Sequence, residues 1–337
     1  MTKISVVIPA YNCADSIRQT IQSIFRSGIK DYEILIVDDG STDGTGQICD
    51  RFTEENVSIR CIHQQNAGVS SARNRGIREA SGEYIWFVDA DDSIKEESLS
   101  AIEKILNEYS PDMLVFGVCF VYTHHGKIFR EDELLPPIEG MISATEYYSN
   151  LYDLFIANSL SALWNRLIKR SVLSDMDLFL REEMFLYEDL EFVLRISRHC
   201  NCIYFYRDAV YHYMQSDDEG NVGRRLKRVP HIPDLICKLE SPLKGEPDKN
   251  RILLSLYQTL VREKIAVSSR DEIRSVCSDY KTWIDEHKLL SSISALDYPM
   301  MIYRGDVSRI VAKRAYSKLR HSIANRVKQT IGDFRKW

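Results

Sequence analysis

Three carboxylates crowd the end of one apolar run. In GEYIWFVDADDSIKEESL, Tyr84 to Val88 read as a buried strand, and Asp89, Asp91 and Asp92 follow at once. Like charges this close raise one another's pKa unless a cation or a set of donors holds them. An Asp-x-Asp at a strand end suits a hard divalent cation, because magnesium and manganese take oxygen ligands and are commonly bound by one or two carboxylates together with substrate phosphates. A solvated turn with Asp92 or Ser93 capping the next helix accounts for one acid but leaves Asp89 and Asp91 unexplained. A calcium loop of the EF-hand kind needs glycine at its sixth position, where Ile94 stands. A phosphatase with an aspartyl nucleophile in an Asp-x-Asp-x-Thr pattern expects threonine where Ser93 stands.

Further candidates sit at other predicted strand ends. The first strand runs into PAYNCADS and lacks the Gly-x-Gly-x-x-Gly turn with which a nicotinamide-binding domain brings its backbone against a pyrophosphate. Pro9 and Tyr11 can instead wall a nucleobase, and Asp39 can accept a hydrogen bond from base or ribose. Asn66 follows the third strand, and Arg73 offers a fixed positive charge on the helix after it. Together these describe a nucleotide pocket without a glycine phosphate cradle, which makes a metal the natural phosphate partner. Glu188 and Asp189 open a helix in LYEDLEFVLRI, where the dipole favours carboxylates by about 0.3–1 kcal/mol. That is a sufficient structural reason for acids there, and a catalytic role stands beside it. In AVYHYM, His212 lies on a strand with aromatic neighbours, as either a core residue or a ligand.

The elements that must position these residues follow from periodicity. Apolar runs (ISVVIPA, YEILIV, VSIRCI) alternate with helix-period segments such as Ile17, Ile21, Ile24 and Phe25. This βαβ rhythm predicts a doubly wound, mostly parallel sheet with ligands outside the carboxyl ends of its strands. After Asp112, MLVFGVCFVYTHHGKIF predicts longer antiparallel strands, followed by helices over 146–154 and 186–199. From about Pro230 the chain reads as helical.

Bulk properties narrow the partners. The 337 residues suit two domains, and the eight scattered cysteines, without paired CxxC spacing, read as reduced core thiols. The start carries no secretory signal and no run reaches the ~18 apolar residues of a membrane span, so a cytoplasmic protein is expected. From Arg304 to Trp337, ten Lys/Arg face two Asp, a net of +8 that leaves about −13 on the rest of the chain. An acidic body argues against a nucleic-acid partner. In SRIVAKRAYSKLRHSIANRVKQTIGDFRKW, Ile310, Val311, Leu319, Ile323, Val327, Ile331 and Phe334 recur near helical spacing within dense positive charge. Such a tail predicts peripheral attachment to the anionic inner face of the cell membrane; the alternative is a stripe packed on the body or on a second copy in a homo-oligomer.

The set VVIPAYN, VDDGSTDGT, NAGVSSARNRGI, YIWFVDADD, WNRLIKRSVL and EDLEF resembles family 2 glycosyltransferases of the GT-A fold, of the kind that build bacterial surface polysaccharides. The resemblance runs in order from about residue 3 to His212. It implies a catalytic domain over 1–225, with nucleotide-sugar binding in 1–112 and the acceptor side in 113–225, followed by a helical region over 226–337. It implies that Pro9, Tyr11 and Asp39 line the nucleoside of a donor, UDP by family frequency, with Asn66, Arg73 and Asp89 nearby. Asp91 becomes the direct ligand of Mn2+ or Mg2+ on the diphosphate, and His212 a second ligand, although Met214 replaces the arginine many relatives carry. Asp189, the second acid of the pair with Glu188, matches the catalytic base of an inverting enzyme acting on a glycan or lipid-linked acceptor. A nucleotidyltransferase and a non-catalytic nucleotide-binding module are the rival readings.

Overall fold

The structure, a computed structural model, describes residues 3–310 apart from 29, 125, 126, 158, 161, 185, 217–231, 294 and 295. The stretch 311–337, which holds most of the basic amphipathic tail, lies outside the described residues. The chain divides into two compact units, Met1–Glu219 with Ser241–Lys249, and Gly220–Glu240 with Asn250–Trp337.

The first unit opens with β1 (Ile4–Ala10), α1 (Ile17–Arg26), β2 (Tyr32–Asp38), α2 (Thr45–Glu55), β3 (Ile59–His63), α3 (Val69–Glu79) and β4 (Tyr84–Phe87). These four strands lie parallel in the order β3-β2-β1-β4, as the alternating rhythm predicts. Parallel strands are covered on both faces, which is why β4 reads as an unbroken apolar run and β1 as one broken only by the buried Ser5. Ile17, Ile21 and Ile24 recur at helical spacing on α1 and are fully buried. Each stabilises the fold by roughly 1.5–3 kcal/mol relative to exposure.

β5 (Ser93–Ile94), α4 (Leu99–Tyr109), β6 (Met113–His124), β7 (Lys127–Leu134), β8 (Gly140–Ser143), α5 (Ala144–Ser149), α6 (Leu151–Ile156), β9 (Arg166–Lys169), α7 (Arg170–Ser174), α8 (Glu188–Ser197) and β10 (Cys202–Ser216) follow. β9 inserts antiparallel between β4 and β6, and β7 pairs antiparallel with β6, so the sheet becomes mixed where the sequence rhythm changes. β6 and β10 are parallel neighbours. The helix expected over 146–154 is two short ones meeting at Asn150, the first held by a capping box between Ser143 and Glu146. The helix expected from 186 starts at Glu188 because Tyr187 takes a left-handed φ of 57°, which a helix cannot continue through.

The second unit contains α9 (Ile232–Glu240), α10 (Lys249–Val267), α11 (Arg270–Glu286), α12 (Leu290–Ile293) and α13 (Asp297–Tyr303), with Lys249 itself counted in the first unit. Its core includes Leu239, Tyr257, Tyr280 and Ile284. No described helix is long and apolar enough to cross a membrane.

One contact sets the seat of α3. Gly76 faces Val7 of β1 so closely that an added Cβ would overlap both Val7 methyl groups, one of them at 3.0 Å. Gly76→Ala is therefore expected to destabilise the first unit by about 1–3 kcal/mol, because the helix must lift from the strand. Urea unfolding with an unchanged slope and a lowered midpoint is the expected result; a midpoint equal to that of the unaltered chain would show that the strand gives way without cost.

Candidate active site

The carboxyl ends of the parallel strands converge on one rim, and side chains lace their loops together. Asn12, at a left-handed φ of 48°, accepts from the Thr42 amide at 2.8 Å, and its own amide donates to Ser41 Oγ at 3.0 Å. The Cys13 amide donates to Thr45 Oγ1 and the Ala14 amide to Asp43. The loops after β1 and β2 thus form one polar frame. Tyr11 stands at its edge with half its surface exposed, while Pro9 is half-buried within β1.

Asp39 is buried, and its carboxylate is spent largely on a neighbouring loop. Oδ1 accepts from Gln64 Nε2 at 2.8 Å and the Ala67 amide at 2.9 Å, and Oδ2 accepts from the Gly68 amide at 2.8 Å. It acts as a cap supplied from another element to the start of α3, where free amides and the helix dipole favour a carboxylate. Of its four acceptor positions, one on Oδ2 is left for a ligand. Asn66 is exposed on the loop so fixed, and Gly40 allows the approach, since a Cβ there would lie 2.9 Å from the Asn66 nitrogen.

The centre of the rim is a buried ion bridge. Arg73, one turn into α3 and 5% exposed, donates from Nη2 to Asp89 Oδ1 at 2.9 Å and from Nη1 to Asp189 Oδ1 at 2.7 Å. The residue expected beside the nucleoside is therefore committed to two acids 100 positions apart in the chain, and it joins the end of β4 to the start of α8. The planar fork of arginine can engage two carboxylates with separate arms. Asp189 keeps 17% exposure. Burial pushes its carboxyl up to about 6, with Glu188 and Asp89 adding to the rise, while Arg73 and a hydrogen bond from the Leu163 amide oppose it. Glu188 beside it is buried. Ser70 Oγ and Arg73 Nε, three residues apart on α3, are buried polar atoms with no partner among the described residues. Such atoms at a rim call for a water or a ligand.

The three acids after β4 have separate surroundings. Asp89 is held by Arg73, and Asp91 is exposed. Asp92 is not a helix cap: it is buried, with Oδ2 accepting from Tyr211 Oη at 2.7 Å and Oδ1 from the Met214 amide at 2.8 Å. Burial first, then the charges of Asp89 and Asp91, push its carboxyl up to about 9. Tyr211 Oη also accepts from the Asp89 amide at 3.0 Å, and its ring stacks on Trp164 at 4.9 Å. Tyr211 is thus the residue of AVYHYM that reaches the acidic loop. His212, next in the strand, points to the other face, where Glu131, Lys95 and Glu133 are the charges that bear on it. Asp89, Asp91 and His212 do not form a cluster with metal-sharing distances among the described residues. The alternation of the strand carries that signal, and the choice between Tyr211 and His212 follows from which face of the sheet turns toward the acidic loop.

A hard oxygen donor set remains at Asp91 and Asp89. One exposed carboxylate beside a second, at a rim with unpartnered polar atoms, fits a magnesium or manganese ion that shares its coordination with substrate phosphates. Glu191, the third acid of the first turn of α8, is structural instead: it is fully buried and accepts from Arg181 and Arg195.

The glycosyl transferase family 2 model matches residues 5–176, about half the chain. GlyA, a glycosyltransferase of Streptococcus pneumoniae, is 37% identical over 155 residues, covering 45% of this chain and 20% of that protein. The glycosyltransferase EpsJ of Bacillus subtilis is 28% identical over 232 residues, 68% of this chain and 64% of its own. The chain therefore spans from about a fifth to under two thirds of these relatives. Among solved structures, residues 1–349 of Staphylococcus aureus TarS superpose with a TM-score of 0.66 at 18% identity, over 94% of this chain and 91% of that one. The same TarS segment has been crystallised with UDP-GlcNAc. The likeness gives the GT-A fold: a mixed sheet with flanking helices and a helical C-terminal region.

Proposed function

The chain belongs to glycosyl transferase family 2, and from that premise we propose that it moves a sugar from a nucleoside diphosphate sugar, by preference a UDP-sugar, to a hydroxyl of a glycan or lipid-linked acceptor with inversion at the anomeric carbon. The observation that carries this reading is the Arg73 bridge, which brings Asp89 of the Asp-x-Asp segment and the partly buried Asp189 into one site. Asp189 takes the proton of the acceptor hydroxyl as its oxygen attacks the anomeric carbon from the face opposite the diphosphate. The anomeric C–O bond breaks and its electron pair leaves with the diphosphate. Arg73 fixes the Asp189 carboxylate in orientation, and the Leu163 amide holds it from the backbone. The frame of Tyr11, Asn12 and Asp39 receives the nucleoside. Asp91 with Asp89 would hold a divalent cation, which when bound would supply counter-charge to the diphosphate; His212, on the other face of β10, is outside this set.

The test is to incubate the protein with a panel of nucleotide sugars, manganese and a hydroxyl acceptor and follow release of nucleoside diphosphate. Release of pyrophosphate from a nucleoside triphosphate would instead mark a nucleotidyltransferase, and binding without turnover of any donor a non-catalytic module. Asp91→Ala is expected to weaken nucleoside diphosphate binding at least tenfold in the presence of manganese and to leave the residual binding indifferent to metal. Titration of UDP with and without manganese measures this. Equal metal dependence in both proteins would remove Asp91 as a ligand.

A further inference from the structure

At the β3 edge of the same rim, α2 packs on the edge strand β3 and sets three different ligand types together. Cys61 and His63, two apart on β3, share one face of the strand, and Asp50 reaches them from α2. One ligand atom from each lies within 4.8 Å of the other two. His63 Nε2 is 2.9 Å from Asp50 Oδ1 and 3.7 Å from Cys61 Sγ. The corresponding edges of a zinc tetrahedron, from metal–ligand lengths of about 2.0–2.3 Å, are roughly 3.4 and 3.6 Å. The side chains of Asp50 and His63, each about half exposed, can make up the difference.

A buried acid completes the arrangement. Asp38, 7% exposed and paired in register with His63 across β2 and β3, has Oδ2 at 2.8 Å from His63 Nδ1. An imidazole that donates Nδ1–H to a carboxylate presents Nε2 outward as a ligand, which is how metal-bound histidines are usually oriented. An ion pair alone accounts for the two carboxylates around His63; the Cys61 thiol is engaged by Cys49 on one side and lies 3.7 Å from His63 Nε2 on the other. From these placements the geometry points to a zinc site made by Asp50, Cys61 and His63, with Asp38 orienting the histidine and the fourth position open to water. The mixed N, O and S set selects a borderline metal over magnesium or manganese. The site shares no residue with the Asp89–Asp91 pair and sits at the opposite end of the strand order β3-β2-β1-β4, and Asp38 Oδ1 also accepts from the Ser41 amide at 3.0 Å, so a bound ion would brace the loop that frames Tyr11 from behind.

Cobalt(II) reports such a site, because a thiolate ligand gives a charge-transfer absorption that carboxylate and imidazole do not. Titration of the full-length reduced protein with cobalt is expected to produce that band to one equivalent, with zinc displacing it. The band should persist in Asp91→Ala, disappear in Cys61→Ser, and need 10–100-fold more cobalt in Asp38→Asn, the usual effect of removing an orienting carboxylate. Asp50→Asn, an exposed change with little bearing on folding, should also weaken binding. No thiolate band in the unaltered protein, or a band that survives Cys61→Ser, overturns the proposal. Because the readout is absorption of the metal complex, failure here is separable from failure of sugar transfer.

Discussion

Asp189→Asn is expected to lower the rate of sugar transfer by roughly 10²–10⁴-fold, the usual contribution of a positioned general base, while leaving binding of the nucleotide donor within a few-fold of normal. The asymmetry follows from the proposed roles, since Asp189 acts on the acceptor proton and the donor is held by the loops after β1, β2 and β4. The amide substitution is chosen because it keeps the size and shape of the side chain and an oxygen that can still accept from Arg73 Nη1. Arg73 retains Asp89 as a counter-charge. Circular dichroism and a thermal melt establish folding, fluorescence titration with UDP establishes donor binding, and release of nucleoside diphosphate establishes turnover. A folded variant with more than a tenth of normal activity would remove Asp189 from the mechanism; loss of donor binding alongside activity would place it on the donor side.

The parallel half of the sheet was legible in the sequence because its signal is local. Ile17, Ile21 and Ile24 on one helical face, and the mostly apolar run from Ile4 to Ile8, each state their environment within ten residues. The strand ends Asp39, Asn66 and Asp89 could be placed on one rim because parallel strands put all their carboxyl ends on the same side. What was not legible is how the polar residues pair across that rim. Arg73 reads as a free positive charge on a helix, and nothing within α3 says that its two arms go to Asp89 and Asp189. Asp39 reads as a ligand for a nucleoside, yet it first holds the Ala67 and Gly68 amides. Tyr211 does not stand out beside His212 along the chain, because which face of the sheet meets the acidic loop is a tertiary fact. Likewise Asp50, Cys61 and His63 are unremarkable along the chain, where they sit on two successive elements, and meet only when α2 packs on β3.

Replacing Arg73 by methionine is expected to have the largest effect on stability and a diagnostic effect on pH dependence. Its guanidinium is 5% exposed and bridges carboxylates that are 27% and 17% exposed. Breaking a buried pair from one side costs about 3–5 kcal/mol, because the remaining charges are left uncompensated. Lysine is not a rescue, since a single ammonium cannot reproduce the two-armed fork. In the unaltered enzyme Asp189 must be ionised to act, so the transfer rate should rise with pH through about 6, the value to which its surroundings push it. Arg73 favours the ionised form, so its loss moves Asp189 further up and the rising limb of the profile to higher pH. The sign for stability agrees. A carboxyl whose folded pKa lies above its unfolded value of about 3.9 stabilises the folded state most below that value, and the contribution is lost as pH rises through the folded pKa. The destabilisation of Arg73→Met should accordingly be smaller at pH 4 than at pH 8. Urea unfolding at both values, with a pH–rate profile of the folded fraction, checks the two consequences separately. A variant with the same limb and a pH-independent stability loss would mean that Arg73 packs the rim without tuning Asp189, and the base would then have to be sought at Glu188.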